Sequence, residues 1–143
     1  ENFLIHLQKF DIIERRTINI MKNNKISHKN KNDLILNTIV EKTLDVGKAE
    51  NIISISLNGK SSIADHMIIA SGTSARHVSA LANQLSRKLK KEGYTILSIQ
   101  GQSESNWILV DAGDVIIHLF RPEVRDFYNL DKMWLTPQDG IEI

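Results

Sequence analysis

The chain of 143 residues contains no cysteine. That absence excludes a disulfide framework, a thiol nucleophile, an iron–sulfur cluster and any cysteine-ligated zinc site. Aromatic residues make up only 6% of the sequence, a poor supply for a base-stacking platform on single-stranded nucleic acid. No apolar run approaches the roughly 20 residues that cross a bilayer. The opening segment also lacks the basic start, apolar stretch and small-residue cleavage site of a signal peptide. Together these absences predict a soluble, cytoplasmic protein with no membrane segment.

What is present suits one globular domain, with 41% hydrophobic and 24% charged residues over a length too short for two comfortable cores. The charge is unevenly divided. Residues 1–32 hold seven Lys/Arg against three Asp/Glu, whereas residues 33–143 hold eleven against fourteen. A basic leader therefore precedes a mildly acidic body. Such a body is a weak direct grip on phosphate, which needs many cationic contacts. It matches a basic protein partner better, because complementary charge speeds encounter and fixes register.

The leader includes KNNKISHKNKN at 22–32, too polar to offset the entropy of ordering and read as a linker. Phe3, Leu4, Leu7, Phe10 and Ile13 form at most a short amphipathic segment ahead of it. The leader is either a poorly ordered arm or an extension upstream of a start at Met21. The body begins at Asp33, a plausible N-cap, followed at helical spacing by Leu36, Ile39, Val40, Thr43 and Val46, with Gly47 near the stop. Alternation of Ile53, Ile55 and Leu57 with Ser54, Ser56 and Asn58 predicts a half-buried strand over 51–58. A more central strand follows over 65–71.

The best helix opens after Ser71-Gly72-Thr73-Ser74 and carries the stripe Val78, Leu81, Ala82, Leu85 and Leu89, with Gly93 as its stop. Lys88, Lys90 and Lys91 sit in its last turns, where cations suit the helix dipole. Strands are expected at 94–100, 107–111 and 114–120, the last two joined as a hairpin. Pro122 opens a short helix over 122–129. The order α-β-β-α-β-β-β-α predicts an α/β domain over 33–135 with a single mixed five-stranded sheet and flanking helices. Residues 136–143 form a C-terminal tail.

Few motifs carry chemistry. Gly59-Lys60-Ser61 resembles the end of a phosphate-binding loop, but the earlier glycine is Ser54 and a strand follows, so a polar hairpin turn is the better account. Ser71-Gly72-Thr73-Ser74 leads from a strand into a helix, where free N–H groups suit an anion; a cap by Thr73 or Ser74 is preferred. Arg76 and His77, on the first turn, are either partner contacts or solvated surface. Asp65, Asp111 and Asp114 are the carboxylates to weigh as a metal pair for phosphoryl transfer. Two positions after Asp65 stands Met67, and Asp111 and Asp114 bracket a turn, so turn chemistry prevails. No catalytic residue, cofactor or metal is expected.

The hairpin is the most informative feature. If Ala112-Gly113 is its turn, Asp111 faces Asp114, Val110 faces Val115 and Ile108 faces Ile117. The other face then pairs Trp107 with His118 and Leu109 with Ile116. One face is core. The other has the makeup of an interface anchor with a charged edge, or is a second layer of core covered by helices, and the pattern suits both equally.

The body resembles the Iojap family of ribosomal silencing factors. The resemblance rests on GKSSIADHMIIASGTSARHVSALANQL at 59–85 and WILVDAGDVIIHLFRPEVRDFYNLDKMW at 107–134, and covers about residues 33–135. It implies a nucleotidyltransferase-like fold without enzymatic activity, in keeping with the missing acid at Met67. It further implies binding to the large ribosomal subunit through its fourteenth-numbered protein, so that the small subunit is sterically kept from joining and translation falls when nutrients run short. Family members also tend to pair with themselves, which allows a homodimer. On this reading Trp107 and Leu109 are apolar anchors, and Asp111 and Asp114 offer acceptors to Lys or Arg. His118, Arg125 and Tyr128 come next, and direct RNA contact is minor or absent. The rival reading is a metal-dependent nucleotidyltransferase using Asp65 with Asp111 or Asp114.

Overall fold

Alternating and continuous apolar runs build a sheet that is buried on both faces. The computed structural model describes residues 31–57 and 64–135. In chain order they form α1 (Lys31–Val46), β1 (Glu50–Ser56), β2 (His66–Ser71), α2 (Ala75–Lys91), β3 (Ser98–Gln100), β4 (Trp107–Asp111), β5 (Val115–Phe120), α3 (Pro122–Tyr128) and α4 (Leu130–Leu135). The five strands lie in the order β1-β2-β5-β4-β3. Only β2 and β5 run parallel; the other neighbours are antiparallel. This is the mixed sheet expected from the sequence, with one further short helix, α4, at the end.

Because side chains alternate along a strand, the sheet divides its apolar residues between two cores. One holds Ile68, Ala70, Ile108, Val110, Ile117 and Leu119 against Leu36, Val40 and Leu44 of α1 and the α2 stripe Val78, Leu81, Ala82, Leu85 and Leu89. The other holds Ile55, Met67, Ile69, Trp107, Leu109, Ile116 and Phe120, closed over by Val124 and Tyr128 of α3 and Leu130 of α4. The α2 stripe is as expected. That of α1 differs: Leu44 is buried and Val46 is 80% exposed, since positions 36, 40 and 44 share a face and 46 falls outside it.

Several boundaries move for local reasons. Helix α1 already includes Lys31 and Asn32, so Asp33 is an interior residue and not the N-cap. Ser74 caps α2, its hydroxyl accepting the His77 N–H at 3.1 Å. At the other end Gly93 takes φ +89°, its N–H reaches the Lys90 carbonyl and that of Tyr94 reaches Leu89. This paired closure commits Tyr94 to the helix end, so the expected strand at 94–100 is reduced to 98–100. The N-terminal 30 residues, the turn Gly59-Lys60-Ser61 and the tail 136–143 lie outside the described residues.

The hairpin register is two residues away from the expected one. Trp107 pairs with Phe120, Leu109 with His118 and Asp111 with Ile116. Gly113 and Asp114 form the turn, with Ala112 N–H donating to the Val115 carbonyl at 3.0 Å and Gly113 at φ +89°. The Asp111 carboxylate accepts the Gly113 N–H at 2.9 Å and so belongs to the turn instead of facing Asp114. A shift of two preserves the face of every side chain, where a shift of one would invert them all.

Candidate partner-binding surface

Pro122 fixes the first turn of α3 directly after β5, with Arg121 extended at its N-cap. The helix is thereby laid across the second core. Trp107 is the centre of that core. Its ring lies 4.9 Å from Phe120 and 4.6 Å from Tyr128, centroid to centroid, and its indole N–H donates to His118 Nδ1 at 2.9 Å. Burial holds the His118 imidazole down from 6.5 to about 3, with Asp131 opposing the shift. It is therefore neutral, and accepting at Nδ1 places its proton on Nε2. Burial also raises the Tyr128 phenol above its ordinary value.

Arg125 is drawn inward as well. Its guanidinium donates to Ser71 Oγ at 2.9 Å and to both carboxylate oxygens of Asp131, at 3.2 and 2.7 Å. The planar fork matches a carboxylate at two points, so one side chain ties β2, α3 and α4 together.

The residues singled out from the sequence thus separate. Trp107, Leu109, Asp111, His118 and Arg125 are buried; Trp107 is only 5% exposed. The expectation of Trp107 and Leu109 as open anchors is corrected: α3 and α4 cover that face, and it is a second layer of core. Tyr128 is half-buried and Asp114 exposed at the hairpin tip. Arg76 is exposed, far along the chain from this surface and on the helix of the other core. His77 is a structural brace. Its Nδ1 accepts the Thr73 N–H at 2.9 Å, and its Nε2 meets the Gly47 carbonyl at 2.8 Å, joining the start of α2 to the end of α1.

Of the rival carboxylate residues, Asp65 and Asp114 are joined through their backbones: Asp65 N–H and His66 N–H both donate to the Asp114 carbonyl. Among the described residues no group of three His, Cys, Asp or Glu is placed to hold a metal ion, and no helix is long and apolar enough to cross a membrane.

What α3 does present outward is Phe127, 67% exposed, with Asp126 and Glu123 exposed beside it. Phe127 meets the Tyr128 ring edge-on at 5.1 Å. Sequence reasoning missed it. The signal was there: Val124 and Tyr128, four apart, share the inward face, so Phe127 is turned about 100° away from Tyr128.

Comparison with known proteins agrees with this fold. The family described as "Ribosomal silencing factor during starvation" matches residues 29–143. The ribosomal silencing factor RsfS of Zymomonas mobilis is 52% identical over 96 residues, covering 67% of this chain and 72% of that protein. A mouse protein named for mitochondrial assembly of the ribosomal large subunit is 35% identical over 89 residues, 60% of this chain and 39% of its own length. A crystal structure from Chromobacterium violaceum superposes with a TM-score of 0.70 at 34% identity, covering 77% of this chain and 92% of that one. With the family match running from α1 through α4, the chain belongs to the ribosomal silencing factors.

Proposed function

We propose that this chain binds the large ribosomal subunit through its fourteenth-numbered protein, in the cytoplasm, and represses translation by keeping the small subunit from joining. The observation that carries the reading is the family match over residues 29–143, and the mouse relative's name points to the same subunit. A non-catalytic role accords with a family named for silencing.

The surface that best suits a basic protein partner is the outer side of α3. Phe127 supplies an exposed aromatic anchor, the residue class that concentrates binding energy at interfaces. Asp126 supplies an acceptor for Lys or Arg beside Glu123, which Arg121 already pairs, and charge of this sign steers encounter with a basic partner. Trp107, Leu109, His118 and Arg125 act one layer below, holding α3 in place. Tyr128 stands at the border between the two. Self-pairing belongs to the same reading, and sedimentation of the free protein measures it.

The test is light scattering during mixing of purified small and large subunits, with the chain preloaded on the large subunit. Dose-dependent loss of joining, with the chain co-sedimenting on large subunits, is the expected result. Normal joining with no co-sedimentation would sink the reading.

A further inference from the structure

The acidic total of the body conceals a segregation of charge. Five of its eleven Lys/Arg lie on α2, which has no Asp or Glu in its 17 residues. At 100° per residue, Arg76, Asn83, Arg87, Lys90 and Lys91 fall on one side of that helix. All five are exposed, and the side opposite is the buried stripe of Val78, Leu81, Ala82, Leu85 and Leu89. The cationic row continues across a groove of about 830 Å³ between α1 and α2, where Lys42 joins Arg87 and Lys91. The groove's acids are Asp45 and Glu92, and Glu92 is engaged by Lys88 at 3.1 Å. Among the described residues, no ion pair is formed by Lys42, Arg76, Arg87, Lys90 or Lys91.

We infer that the outer face of α2, with Lys42 of α1, binds the phosphate backbone of duplex RNA without reading its sequence. Three features select this partner. The row is long: eleven residues separate Arg76 from Arg87, a rise of about 16 Å, which suits a run of phosphates rather than one small anion. It carries no aromatic residue for stacking on bases, so it addresses backbone and not unpaired nucleotides. The apolar side of α2 is already spent in the core, and the adjoining groove adds only Ile39 and the exposed Val46, short of the broad apolar face that enters a lipid surface. A-form RNA, read through its shape and backbone, is a polyanion of matching extent.

That the RNA is ribosomal rests on the function proposed above. The binding of duplex RNA does not. Helix α2 packs on one core and α3 on the other, so the RNA-binding face and the protein-binding face lie on opposite sides of the sheet and are able to act together.

The experiment uses the full chain and a dye-labelled RNA hairpin of about 16 base pairs, with anisotropy titrations from roughly 50 to 200 mM salt. The comparison is wild type against the triple variant Arg87→Gln/Lys90→Gln/Lys91→Gln, which leaves the Lys88–Glu92 pair intact. The basic leader is present in both proteins, so any difference belongs to the helix. Each lost phosphate contact lowers the salt slope by about 0.7–0.9. The triple variant is therefore expected to lose about 2–3 from the slope and tenfold or more in affinity, while Phe127→Ala binds RNA normally. Equal affinity and slope for wild type and triple variant would overturn the inference. So would stripe-dependent binding to phosphatidylserine vesicles without binding to RNA. Stripe-dependent RNA binding by a chain that ignores large subunits would uphold the inference and refute the ribosomal reading. Co-sedimentation with large subunits that survives the triple substitution, together with no RNA binding, would do the reverse.

Discussion

Trp107 and His118 are bonded diagonally across the β4–β5 ladder. The strand partner of Trp107 is Phe120, and that of His118 is Leu109, yet the indole N–H reaches past its own partner to His118 Nδ1 at 2.9 Å. A buried polar pair of this kind is stable only with its hydrogen bond made. It therefore fixes the rotamers on which α3 rests.

The neutral state of His118 makes stability depend on acid. The unfolded imidazole protonates near 6.5, whereas the folded one stays neutral down to about 3. Between those values the unfolded chain binds the extra proton, so stability falls as pH falls, by at most about 1.4 kcal/mol per pH unit from this group. Above 6.5 the contribution is fully present. Urea titrations between pH 7 and 4 are expected to show a shallower decline in His118→Asn than in wild type; parallel declines would contradict the assignment.

Trp107→Ala is expected to behave as a core deletion, with a loss of about 3–5 kcal/mol. Chemical denaturation separates this from an anchor role. An exposed anchor would lose subunit binding while keeping wild-type stability, and that outcome would place Trp107 at the surface after all.

Arg125→Ala removes one partner of a largely buried ion pair and the bond to Ser71. The expected cost is on the order of 3 kcal/mol. Arg125→Lys should recover little of it, because an ammonium cannot reproduce the two-point match to Asp131. Thermal unfolding of the pair of variants reads both claims.

Phe127→Ala is the complementary case. Exposed as it is, its removal should change stability by no more than about 0.5 kcal/mol. Binding to large subunits should weaken tenfold or more, as for an aromatic hot spot. Co-sedimentation at graded concentrations measures the loss, and unchanged binding would move the contact away from α3.

Much of this architecture was legible in the sequence because it rests on periodicity. The i, i+4 stripe of α2 and the period-two split of Trp107 and Leu109 from Ile108 and Val110 set the faces correctly. The hairpin register was not legible, since Ala112-Gly113 and Gly113-Asp114 both place a glycine where positive φ is wanted. In the fold the turn at Gly113-Asp114 is held by the bond from Ala112 N–H to the Val115 carbonyl and by that from Gly113 N–H to the Asp111 side chain. Burial of Trp107 was hidden for a different reason. Its local pattern is the same whether a later helix covers that face or leaves it open, and the cover depends on Arg125 meeting Asp131, a contact between side chains on separate helices. The linker over 22–32 likewise gave no hint that its last two residues join α1, where packing of Leu36 and Val40 extends the helix beyond its propensity.

The Arg125 clasp also orders events at birth. Every strand and helix of the first core has been synthesised once residue 120 is made, but the clasp lacks its carboxylate until Asp131 follows. Vectorial synthesis therefore delivers the chain in two instalments. Any truncation ahead of Asp131 would leave the aromatic floor of Trp107 and Phe120 open, turning a well-packed protein into a sticky one.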